Sequence, residues 1–220
     1  MFKTNVMMAA SAVVVCIGQV ASAEFYSDPT GDQGPGNTNL DIVQVGVSND
    51  TTHVYIDITT NGFESWTKYM VFLDYAVGGI SGNSNPWFRN VDMGTNAIDA
   101  FAGIWVDGDG GSQTFTASNN GNWNGSDLGS QITISGNKVS TKFSLDDLGL
   151  GVGDVIKFDV GTTGENNGDP ATDLISIGST AATWGGVATA GELRSYTLVP
   201  APGSLALLGL AGFATRRRRA

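Results

Sequence analysis

From Ile42 onward apolar and polar positions alternate. Val43, Val45 and Val47 interleave with Ile42, Gln44 and Gly46, and Val54, Ile56 and Ile58 interleave with His53, Tyr55, Asp57 and Thr59. A period of two sends successive side chains to opposite faces of a strand, so each run predicts a half-buried strand. Asn49-Asp50-Thr51-Thr52 lies between the two runs and makes them a hairpin. Tyr69 to Leu73 is continuously apolar, which predicts a central strand buried on both faces. Asp99 to Val106 alternates again, with Ala100, Ala102, Ile104 and Val106 set against Phe101 and Trp105. Gln131–Ser135 and Lys138–Phe143 flank Gly136-Asn137, a pair suited to the positive φ of a two-residue turn. Val155–Val160, Asp173–Ile177 and Arg194–Leu198 complete a set of roughly nine or ten strands. Only Leu145-Asp146-Asp147-Leu148 reads as helical, for one turn, with its acids where they favour a helix start.

Gly, Asn, Ser and Asp crowd the stretches between strands: Gly78 to Asn85, Asp107 to Ser112, Ser118 to Gly125 and Thr162 to Asp169. These residues supply tight turns cheaply. The pattern predicts an all-β fold, an antiparallel β-sandwich. The absence of a repeat with a period of about 20–50 residues argues against a solenoid.

Both ends break the pattern. Lys3, the apolar run Val6 to Gly18 and the small residues Ala21-Ser22-Ala23 have the order of an export signal, so the mature chain is expected to start at Glu24. At the other end, Val199-Pro200-Ala201-Pro202-Gly203-Ser204 leads into apolar and small residues from Leu205 to Ala214, then Arg216-Arg217-Arg218-Arg219. As a short apolar helix Leu205 to Ala214 would span about 15 Å, against about 30 Å of hydrocarbon. Gly209 and Gly212 weaken that helix further, and the arginines resist transfer across a membrane. Such a segment stops a chain during export and holds it loosely. The alternative is a weak permanent anchor with a transmembrane helix. The order resembles a PEP-CTERM sorting signal, with Ala201 where the family has its glutamate. That resemblance implies processing by an exosortase, transient membrane contact, and delivery to the cell surface or extracellular matrix. Three segments result: a signal peptide over 1–23, a sandwich over 24–198 and a sorting tail over 199–220.

Removing the ends changes the charge. Between Glu24 and Val199 six Lys and Arg face all 21 Asp and Glu. That excludes a basic nucleic-acid surface and suits divalent cations, neutral partners or solubility alone. The lone cysteine, Cys16, falls in the export signal, so no disulfide is expected to staple the body.

Asp28-Pro29-Thr30-Gly31-Asp32-Gln33-Gly34-Pro35-Gly36, followed by Asp41-Ile42, holds most of the body's chemistry. With Tyr69 to Asp74, Phe143 to Gly149 and Asp169-Pro170-Ala171-Thr172-Asp173, it resembles the DOMON-like sandwiches, among them the family 9 carbohydrate-binding modules. The resemblance implies calcium in a carboxylate and carbonyl loop. Calcium takes about 6–8 oxygens, and Asp28, Asp32 and Asp41 could supply carboxylates. The same aspartates also suit Asx turns beside Gly and Pro, and both readings stand open. Asp107-Gly108-Asp109-Gly110-Gly111 lacks the spacing of an EF-hand and reads as a hairpin turn.

Trp66, Trp87, Trp123 and Trp184 lie in or beside polar, Gly/Asn-rich stretches, whereas Trp105 lies in a strand. Exposed, such rings beside amides can grip a neutral glycan. Packed, they would plug the ends of the sandwich. His53 is the only histidine, on the polar side of its strand, and there is no nucleophile elbow or phosphate loop. No enzyme activity is expected. The expected role is glycan binding or matrix structure, the alternatives being a structural surface protein without a small ligand and a domain, accessory or catalytic, of a polysaccharide hydrolase.

Overall fold

The computed structural model describes residues 21–200. The apolar run of the export signal, together with Ala201, Pro202, the apolar tail and Arg216 to Arg219, lies outside the described residues. Among the described residues no helix is long and apolar enough to cross a membrane.

The first sheet is five-stranded and antiparallel, in the order β1 (Glu24–Ser27), β2 (Ile42–Asn49), β3 (His53–Thr60), β10 (Lys138–Ser144) and β9 (Gln131–Ser135). The second is seven-stranded and antiparallel. It runs β12 (Ala171–Leu174), β11 (Val155–Thr163), β4 (Lys68–Asp74), β6 (Ala100–Trp105), β7 (Gly111–Ala117) and β8 (Trp123–Ser126), with β14 (Arg194–Thr197) also paired to β11. Between the sheets lies one apolar cluster that includes Val45, Val47, Ile56 and Phe143 from the first and Tyr69, Val71, Leu73, Ile104 and Phe158 from the second. The body is therefore an all-β antiparallel sandwich, as the alternation predicts.

The run from Tyr69 to Leu73 is buried throughout because the second sheet is covered on its outer face as well. There Met70, Phe72 and Phe101 pack against Val91, Met93, Ile98, Ala182, Ala188 and Leu193. These covering residues come from loops, held by a parallel pair, β5 (Val91–Asp92) and β13 (Ala188–Thr189). The chain is thus two sheets plus a layer of loops, and that third layer carries most of the site described below.

The hairpin turns follow their chemistry. Gly136 takes φ 62° between β9 and β10, and Gly108 and Gly110 take φ 61° and 69° between β6 and β7. The one-turn helix α1 (Leu145–Leu148) is capped by Ser144, whose side chain accepts from Asp147 N–H, so the acids sit in the first turn and the serine is the cap. Strands β1, β5, β7, β8 and β13 escape the apolar pattern, being short, polar or rich in glycine.

Asn49, wholly buried, meets the residues just outside both ends of the 24–198 body, Ala21 within the expected export signal and Val199. Its backbone carbonyl accepts from Ala21 N–H at 2.8 Å. Its side-chain amide donates to Val199 O at 2.9 Å, and its Oδ1 accepts from Val199 N–H at 3.0 Å and from Tyr196 OH at 2.8 Å.

Candidate functional site

The outer face of the second sheet carries three adjoining depressions. The first, about 570 Å³, is lined by Asn85, Phe88, Arg89, Phe115 and Trp123 among others. The second, about 560 Å³, shares Pro86, Phe88 and Arg89 with it and adds Trp87, Trp105, Asp107 and Gln113. The third, about 430 Å³, shares Glu165 with the second and is walled by Trp66 and Trp184, whose ring centroids are 6.4 Å apart. All four tryptophans singled out from the sequence thus line one connected groove. Trp105 joins them although it lies in a strand.

Glycines make room for the rings. A Cβ built on Gly103 would fall closer than 3.0 Å to the Trp87 ring, one on Gly111 closer than 3.0 Å to the Trp105 ring, and one on Gly164 within 3.0 Å of the Trp184 ring. Each glycine is a seat on which an indole lies close against the backbone. The Trp87 ring is then held by an edge contact to Phe101, 5.9 Å between centroids, and by its Nε1–H, which donates to Gln113 Oε1 at 3.0 Å. The Arg89 guanidinium lies 5.6 Å from its centroid, a cation–π distance.

The groove's two cations each face a carboxylate. Lys68 Nζ pairs with Asp107 Oδ1 at 2.5 Å. Arg89 donates through Nη1 to Asn166 O and lies 4.0 Å from Asp169 Oδ2. Burial lowers the pKa of Arg89, and Asp169 opposes that shift. Glu165, on the boundary between the second and third depressions, is exposed. Two buried donors in residues lining the first depression, Arg89 Nε and Trp123 Nε1, have no hydrogen-bond partner. Buried donors are rarely left so, and a ligand or solvent oxygen is the ordinary remedy.

Phe88 is the feature that no sequence signal announced. It is 78 % exposed and shared by the first two depressions. Among the described residues it is the only non-glycine with positive φ, at 53°. That conformation costs about 1–2 kcal/mol in a residue with a Cβ. Strained backbone of this kind clusters at binding and switch sites, which makes Phe88 a candidate position.

A second cluster lies in the opening turn. Asp28, Asp32 and Asp173 each offer a carboxylate oxygen, all within 4.8 Å of one another. Asp173, at 2 % exposure, arrives from β12, with Oδ2 accepting from Ile42 N–H at 2.6 Å and Oδ1 from Leu174 N–H at 2.8 Å. Asp41 is placed elsewhere. Its Oδ1 accepts from Gly31 N–H at 2.9 Å and its Oδ2 from the Asn61 amide at 3.0 Å, so it pins the turn that presents Asp32. Burial first, then the Asp32 charge, push the Asp28 carboxyl above the ordinary range. Burial likewise raises Asp173, reinforced by Asp28 and Asp32. Asp28 Oδ2 and Gln33 Oε1 are buried and without partners. Hard oxygens, mutual repulsion and orphaned acceptors suit a divalent cation, so the residues fit calcium.

His53 is half-buried in β3, its Nδ1 2.8 Å from Thr52 Oγ1, and it lies away from both clusters. The chain matches no protein-family model and no curated protein.

Proposed function

We propose that the protein is a secreted, non-enzymatic sandwich of the DOMON-like kind that binds glycan, delivered to the cell surface or extracellular matrix by its PEP-CTERM-like tail and released there by an exosortase. The observation that carries the binding role is the alignment of Trp66, Trp87, Trp105, Trp123 and Trp184 along connected depressions beside amide side chains. Flat rings offer a stacking surface to the C–H faces of sugars, and amides meet the hydroxyls. Calcium is proposed at Asp28, Asp32 and Asp173, where it would lock the first turn to β12 and have no direct part in binding.

A glycan array with the full chain tests this reading. The double variant Trp66→Ala/Trp184→Ala is expected to lose about tenfold or more in affinity for any glycan the chain binds, since buried aromatic anchors dominate such interfaces. Its melting temperature should change little, because Trp184 is 47 % exposed. A calcium-dependent melting curve with no glycan signal would instead favour a purely structural surface role. Turnover of a polysaccharide would overturn both.

A further inference from the structure

We infer that the groove takes several linked units of an extended, neutral glycan chain, and that Phe88 is the platform that couples its subsites. This rests on the glycan reading and goes beyond it in naming length, charge and the coupling residue. The three depressions meet at shared residues, Phe88 between the first and second and Glu165 between the second and third. A monosaccharide fills one depression; a linked chain fills several, and each further unit binds at the high effective concentration set by its neighbour. Phe88 stands at the boundary with its ring 78 % exposed, where a chain passing from Trp123 toward Trp87 and Trp105 must cross it. Its left-handed backbone presents the ring outward at the crossing.

Charge decides against acidic chains. Lys68 is paired to Asp107, and Arg89 is held by Asn166 and lies beside Asp169. Both cations already face a carboxylate, and a uronate would meet Asp107, Asp169 and the exposed Glu165 along its path. The orphaned donors Arg89 Nε and Trp123 Nε1 suit hydroxyl or ring oxygens.

The test is calorimetric titration of the full chain with β-linked glucose oligomers from the disaccharide to the octasaccharide, against galacturonate oligomers of the same lengths. Affinity for the neutral series is expected to climb with length and the uronate series to stay weak. Phe88→Gly should remove the gain between short and long oligomers, about tenfold from one lost stacking contact, while melting no lower than the parent because glycine adopts positive φ freely. Neutral binding that is flat with length, equal affinity for uronates, or an unchanged length series in Phe88→Gly would overturn this inference and leave glycan binding standing. No binding to any neutral oligomer would remove both.

Discussion

Gly103→Ala is expected to destabilise the protein by about 1–3 kcal/mol and to weaken glycan binding about tenfold or more. The usual expectation has the opposite sign. Where the backbone allows it, alanine for glycine stabilises by about 0.4–1 kcal/mol through the unfolded chain. Gly103 lies within β6, and its φ is not among the positive values. Its added methyl would nevertheless fall closer than 3.0 Å to the Trp87 ring. Trp87 must then leave its seat, giving up its bond to Gln113 and its edge contact with Phe101. The expected readouts are a lower melting temperature, a shifted tryptophan emission and weaker binding together. Gly125→Ala, at a strand glycine whose Cβ would meet nothing within 4 Å, is the control and should do none of these. Parent-like melting and binding in Gly103→Ala would dispose of the seating argument.

Calcium is expected to raise the melting temperature. At a hundredfold excess over its dissociation constant a ligand adds about 2.7 kcal/mol. For a domain of this size that is roughly 5–10 °C. Chelation should reverse the gain and Asp173→Asn should abolish it, because Asp173 joins β12 to the opening turn. The pH dependence carries a distinct sign. Without a cation, Asp28 and Asp173 hold protons more tightly folded than unfolded. Their contribution is therefore full below the ordinary carboxylate pKa of about 4 and is lost as pH rises through their raised folded values. Calcium needs the charged carboxylates, so its stabilisation grows over the same interval. Chelated protein should lose stability from mildly acidic to neutral pH, and the calcium-induced shift should widen. A shift that is constant with pH would place the cation elsewhere.

The sandwich was legible because its central strands alternate. Val54 to Ile58 and Lys138 to Phe143 pair in the register their apolar faces require. Strands β7 and β8 were not, since Gly111 to Ala117 and Trp123 to Ser126 carry few large apolar residues and read as loop. Gly111 in β7 seats the Trp105 ring, so site construction there overrides strand patterning. The four tryptophans were legible from their polar surroundings. Phe88 was not, because a backbone angle leaves no mark in composition. Of the acidic cluster, Asp28 and Asp32 were visible in one turn, while Asp173 lies far along the chain and meets them where β12 abuts that turn, with Gly34 N–H donating to Thr172 O and Ile42 N–H to Asp173 Oδ2. Asp41 shared the motif but was taken by local hydrogen bonds, a competition that spacing alone does not reveal.

The Asn49 clasp has a mechanical consequence. Val199 leaves the body beside the start of β11, where Thr197 pairs with Val155, whereas the Trp66–Trp184 wall lies just past the other end of that strand, at Gly164. Nine residues of β11 separate the two points, roughly 25–30 Å of extended chain. A pull transmitted from a gripped ligand to the carboxyl end would run lengthwise along β11 and β14. It would load their cross-strand bonds side by side in shear, the geometry in which a tether resists tension best.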